Sequence, residues 1–133
     1  ENKKGNQASP VYKFIKQAYE GGEITLFEKS DKVKRDFVCI DDICEIHYKM
    51  LLKDESGIFN VGTGSPISFS DVAEVIQSNI TCEINEIPMP KDLVGQYQRF
   101  TKANNSKLLE VIGDYKWKSV KEYVEENLDA LSN

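Results

Sequence analysis

Cysteine is scarce, with only Cys39, Cys44 and Cys82 among 133 residues. An odd set, spaced C-x4-C and then by a long gap, fits neither a disulfide framework nor a paired zinc knuckle. Histidine is scarcer still, His47 alone, so a closed site of nitrogen and sulfur ligands lacks members and no metal is expected. Reduced, structural thiols point to a cytoplasmic protein. Positive charge is also short: 17 Lys+Arg against 22 Asp+Glu leave a formal charge of −5. A generic nucleic-acid binder carries the opposite sign. Long apolar runs are missing. The uncharged stretch Gly57–Ser70 holds three glycines, a proline and several hydroxyls, which rules it out as a membrane span. No secretory leader is expected, and there is no internal repeat or low-complexity tract. The chain opens without Met on Glu1-Asn2-Lys3-Lys4-Gly5, so a piece of something longer is expected.

What remains suits one domain of ordinary size, 40% hydrophobic and able to bury roughly two thirds of its unfolded surface. Ser9-Pro10, with Val11, Phe14, Ile15 and Ala18 on one face and Gly21-Gly22 behind, predicts a capped helix. Ile24–Phe27 reads as a short strand, Glu28–Arg35 as a charged loop and Phe37–Ile40 as a second strand. Asp41-Asp42 is expected to cap a helix to about Lys53, with Ile43, Ile46, Met50 and Leu51 inward. Gly57–Val61 is a near-continuous apolar strand of the type buried on both faces. Ser68-x-x-Asp71 resembles a capping box for a helix to about Asn79. Cys82–Ile87 and Tyr97–Thr101 read as strands, Ser106–Ile112 and Val120–Leu131 as helices, the last opened by Ser119-x-x-Glu122. Alternating strands and helices put the class at α/β or α+β, where ligands sit at the loops after strands.

Two motif matches are weak. Gly62-x-Gly64 has Ile67 where a dinucleotide fingerprint needs its third glycine, so a structural turn is the better reading. Tyr12-x-x-x-Lys16 has the spacing of a dehydrogenase pair but falls opposite the apolar face, among Lys13 and Glu20. Arg35 is the more interesting residue. A guanidinium fixed at the start of a strand offers paired N–H groups to a diphosphate, although from spacing alone a surface ion pair with Asp36 or Asp42 is the simpler reading. Tyr97 is suited to stack on a base or bond a phosphate oxygen, or to be a half-buried strand aromatic. Lys4 is a solvated terminal lysine by composition, and works as a base only where burial or a neighbouring cation such as Lys3 favours proton loss.

Several stretches together resemble one family. Lys34-Arg35-Asp36-Phe37-Val38 with Asp41-Asp42, and Gly57-Ile58-Phe59-Asn60-Val61-Gly62-Thr63-Gly64, are similar to the RDF segment and the G-x-(F/Y)-N-(L/V)-G-(T/S)-G turn of extended short-chain dehydrogenase/reductases acting on nucleotide sugars. Lys4-Gly5-x-x-Ala8-Ser9, and Ile87-Pro88-Met89-Pro90 leading to Leu93-x-Gly95-x-Tyr97-Gln98-x-Phe100-Thr101, are similar to the ADP-heptose 6-epimerase branch of that family. The resemblance implies that residues 1–133 are the carboxyl-terminal, substrate-binding portion of an α/β enzyme (an α+β-like fragment) lacking most of its Rossmann domain. About 39–61 would return to the nucleotide-binding sheet.

The implied activity is inversion of C6″ of ADP-heptose by NADP-dependent oxidation and re-reduction, for the lipopolysaccharide inner core. The cofactor would be held mainly by the missing amino-terminal part, the fragment alone would be inactive, and the intact enzyme would be a homo-oligomer. Among site residues the resemblance makes Lys4 catalytic and cofactor-contacting. It puts Asn6 where the family has a small hydroxyl residue and Lys13 where it can have His, both near substrate. Phe27, Glu28, Lys29 and Ser30 fall on the loop lining the ADP site, Arg35 matches the diphosphate arginine, and Tyr97 the tyrosine closing over the nucleotide. A UDP- or dTDP-sugar 4-epimerase or 4,6-dehydratase, and a non-catalytic sugar-nucleotide-binding module, are the alternatives.

Overall fold

The computed structural model describes residues 2–131. A 3-10 stretch, Asn2–Gln7, kinks at Gly5 (φ 54°) and leads into α1, Pro10–Gly21. Ser9 occupies the N-cap position but its side chain makes no capping bond, contrary to expectation. The helix opens instead through the backbone, the Lys13 N–H reaching the Ser9 carbonyl at 3.0 Å. Val11, Phe14, Ile15 and Ala18 are buried, and Gly22 ends the helix in the left-handed region, its N–H on the Ala18 carbonyl, as a C-terminal glycine does.

β1 (Glu23–Phe27) comes next, then a 3-10 turn at Ser30–Lys32 and the two-residue β2 (Lys34–Arg35). α2 spans Ile40–Leu51, β3 Ile67–Ser68, α3 Phe69–Gln77 and β4 Glu83–Ile87. α4 (Lys91–Val94), α5 (Ser106–Ile112) and α6 (Val120–Leu131) complete the order. β1 and β4 pair in parallel from Glu23↔Glu83 to Phe27↔Ile87, with α3 on the crossover between them. β2 and β3 pair antiparallel. The main core sits where α1, α3 and α6 meet β1, around Ile15, Ile24, Val72, Ile76 and Val124. The fold is mixed α/β, as the alternation predicts.

Local signals are realised closely. Ser68 and Asp71 form a full capping box on α3. The N–H and hydroxyl of Ser119 bond Glu122 at 2.8 and 2.9 Å and, with Lys116, hold its carboxyl down to about 2. Gly113 ends α5. The expected strands Phe37–Ile40 and Gly57–Val61 are not formed. An isolated apolar run becomes a strand only beside a partner that takes up its N–H and C=O groups, and among the described residues no strand lies beside either run. Ile58, expected inside, is 90% exposed. Tyr97–Thr101 contributes only a single bridge, Lys34↔Phe100.

α2 differs at both ends from expectation. Cys39, not the Asp pair, is its N-cap. Asp42 turns inward instead, accepting the Tyr115 hydroxyl and the Lys118 N–H, each at 2.9 Å. Ile46 is buried but Leu51 is 79% exposed. Ile40, Tyr48 and Leu51 lie within one stripe by helical spacing, and all are exposed, as is Leu52 beyond the helix end. Among the described residues no helix is long and apolar enough to cross a membrane, and no group of His, Cys, Asp and Glu is placed to hold a metal ion.

Candidate functional site

The site forms at the carboxyl end of β1. Phe27 closes that strand, and Glu28 continues the pairing through its N–H to the Ile87 carbonyl at 2.9 Å. The chain then turns sharply at Lys29, whose φ of 65° is left-handed. Ser30 is buried and donates to Glu86 Oε1 at 3.0 Å, which fixes the turn before β2 presents Arg35.

The guanidinium of Arg35 donates to the carbonyls of Gln98 and Lys34. Of its five N–H groups, three have no partner among the described residues. Its carbon lies 5.8 Å from the Phe69 ring centre and 5.9 Å from that of Tyr97. Stacking on two rings restricts a long side chain before any ligand arrives. Tyr97 in turn meets Phe27 edge-on, centroids 5.9 Å apart. Burial pushes the Tyr97 phenol up, with the neighbouring Arg35 pulling the other way; the hydroxyl stays a neutral donor at physiological pH. The ion pairs that spacing suggested are absent: among the described residues neither Asp36 nor Asp42 pairs with Arg35.

A pocket of about 340 Å³ opens here, lined by Lys13, Phe27, Ser30, Phe69 and Tyr97 among others. Four of the sequence-derived candidates, Lys13, Phe27, Ser30 and Tyr97, thus share one cavity, with Arg35 against its Tyr97 and Phe69 walls. Glu28 and Lys29 are exposed on the adjoining turn and do not line it. Lys4 is elsewhere. It lines a separate pocket of about 490 Å³ with Tyr12, Phe37, Cys39, Lys118 and Tyr123. The side chain of Asn6 lies outside the described residues.

Phe69 and Gln98 were not legible as site residues, because each reaches Arg35 only through tertiary packing. Asp36 was missed too. Burial works against its ionisation, but the Thr63 hydroxyl and the N–H groups of Ala103, Gly64 and Thr63 bring its carboxyl below the usual range. Two N–H groups of the Gly62-Thr63-Gly64 turn, those of Thr63 and Gly64, are therefore on a side-chain carboxylate. They are not free to cradle a dinucleotide pyrophosphate, so the described residues do not build a cofactor site of that kind.

Comparison with known proteins bears on this geometry. Residues 2–62 match the NAD dependent epimerase/dehydratase family. Among solved structures, the ADP-L-glycero-D-manno-heptose-6-epimerase of Helicobacter pylori superimposes with a TM-score of 0.81 at 20% identity, over 95% of this chain and 38% of that one. The UDP-glucose 4-epimerase of Thermotoga maritima, solved with UDP-glucose, gives 0.76 at 21% identity over 93% and 39%. The UDP-N-acetylglucosamine 4-epimerase of Methanobrevibacter ruminantium gives 0.74 at 18% over 98% and 40%. The fold is thus that of part of the extended epimerases. The chain spans about two fifths of the length of the solved structures it resembles.

Proposed function

We propose that this chain is the substrate-gripping part of a nucleotide-sugar epimerase of the extended short-chain dehydrogenase/reductase type. The observation that carries the reading is a pocket walled by Phe27 and Tyr97, with the Arg35 guanidinium set against its Tyr97 and Phe69 rings. A guanidinium with three N–H groups uncommitted among the described residues suits two linked phosphoryl groups. The neutral Tyr97 hydroxyl adds a donor, and the Phe27–Tyr97 pair offers an aromatic wall to a base. Lys13, lining the same pocket, adds positive charge for the anionic ligand.

In its finer form the substrate is ADP-heptose, inverted at C6″ with NADP as cofactor. The Lys4-Gly5-x-x-Ala8-Ser9 and Leu93-to-Thr101 segments favour this over a UDP- or dTDP-sugar enzyme. NADP would be held by a Rossmann part outside this chain, with Lys4 the one residue here assigned to both cofactor contact and proton transfer. The exposed apolar side chains Ile40, Tyr48, Leu51, Leu52 and Ile58 support segment 39–61 as the face on which that part packs, since apolar surface of this extent calls for cover.

Presenting the intact protein with ADP-heptose and UDP-galactose tests the reading. Turnover of ADP-heptose is expected, and turnover of UDP-galactose alone would reassign the enzyme. Arg35→Ala should weaken substrate binding by about 1.5–3 kcal/mol, the worth of a hydrogen bond to a charged group. Unchanged affinity would remove the diphosphate role.

A further inference from the structure

Asp36 stands next to the arginine assigned above to the diphosphate, yet plays no part in that assignment. Its carboxylate accepts from the hydroxyl and the N–H of Thr63, from the Gly64 N–H at 2.9 Å and from the Ala103 N–H at 2.8 Å. Its own N–H donates to Thr101 Oγ1 at 3.0 Å. Three pieces of chain distant in sequence are thereby tied at one point: the end of β2, the 62–64 turn and the 101–103 segment. The tie continues along β2, where the Lys34 N–H reaches the Arg99 carbonyl at 2.9 Å and the Thr101 N–H reaches the Lys34 carbonyl at 3.1 Å. Gln98, whose carbonyl receives the Arg35 guanidinium, and Tyr97, whose ring lies beside it, sit immediately before the segment so anchored.

A carboxylate suits this junction because it only accepts. Four donors converge on it, and an amide of the same shape would turn an NH2 group toward backbone N–H groups that need an acceptor. The junction is also tight: a Cβ at Gly62 would lie 2.6 Å from Ala103 Cβ and 3.2 Å from Asp36 Oδ2.

We propose that Asp36 is a positioning residue for the diphosphate grip, holding the Arg35 guanidinium in register by pinning the 99–103 segment and the 62–64 turn to the end of β2. The proposal rests on the assignment of Arg35 to the diphosphate. Its signature is non-additivity, because a residue acting through Arg35 has nothing to act through once Arg35 is removed.

The test is a double-mutant cycle on the intact protein, with ADP binding as the readout and a thermal melt to confirm folding. Arg35→Ala and Asp36→Asn should each weaken ADP about tenfold or more, roughly 1.4 kcal/mol, and the double variant should bind no more weakly than Arg35→Ala alone. A folded Asp36→Asn with wild-type affinity overturns the proposal. So does an equal loss with and without Arg35, which is the mark of a general structural effect. If Asp36→Asn does not fold, Thr63→Val, which removes one donor and keeps the carboxylate, enters the same cycle with the same two outcomes. Unchanged ADP affinity in Arg35→Ala by itself overturns the underlying diphosphate reading and this proposal with it. That failure is separable, since it needs no Asp36 variant to be seen.

Discussion

Replacing Gly62 by alanine probes a tight junction of the fold. The added methyl would stand 2.6 Å from Ala103 Cβ, whereas carbon atoms rest at about 3.5–4.0 Å. About 1 Å of separation must therefore be found. Ala103 has no rotamer through which to retreat, and its N–H is bound to Asp36 at 2.8 Å, so relief requires the backbone at 103 to move off the carboxylate. Overpacking of this kind costs about 1–3 kcal/mol, and weakening a hydrogen bond to a charged acceptor adds up to about 1.5–3 kcal/mol. A loss of about 2–4 kcal/mol is expected. Urea titration should show a lower midpoint with an unchanged slope, the mark of a stability change without a change in the surface exposed. Ala103→Gly removes the atom that the new methyl would strike. It should cost about 0.4–1 kcal/mol alone, through chain entropy, and restore at least about 1 kcal/mol in the Gly62→Ala background. A Gly62→Ala protein as stable as the parent, or one that Ala103→Gly further weakens, would refute the steric reasoning.

Ser68→Ala removes the hydroxyl that accepts from the Asp71 N–H at 3.0 Å and should cost about 1 kcal/mol, read by thermal denaturation; a Ser68→Asp protein should keep most of that stability. Asp36 has a folded-state pKa below its unfolded value, so its contribution is fully present above the unfolded pKa of about 3.9 and is lost as pH falls through the folded value. Stability measured from pH 7 down to pH 2 should therefore fall in the acid range less steeply in Asp36→Asn than in the parent. Lys4→Met in the intact protein should suppress epimerisation while ADP-heptose still binds, measured by turnover and by calorimetry; full turnover would take Lys4 out of the mechanism.

Features held within a few residues were readable in advance. The proline and glycine bounding α1, the Ser68–Asp71 box and the Ser119–Glu122 pair each involve groups at most four positions apart along a helix, and each stands where the pattern placed the helix. Strands were another matter. Glu23–Phe27 formed because β4, about sixty residues on, supplied its partner, whereas Phe37–Ile40 and Gly57–Val61 have the same apolar character and no strand beside them among the described residues. The simplest local reading of Arg35, an ion pair with the adjacent Asp36, failed for a long-range reason. That carboxylate is taken by donors 27, 28 and 67 positions away, leaving the guanidinium to aromatic rings and carbonyls. No spacing rule carries that information. It lies in how the loops close.

Parallel pairing of β1 with β4 has an evolutionary corollary. Because Phe27 and Ile87 are register partners, the polypeptide leaves both strands on the same rim, and the two departing segments meet there. Insertions or exchanges in either exit segment would reshape the chamber's walls without touching the layers beneath, so this scaffold can change the outline of its pocket while keeping its foundations intact.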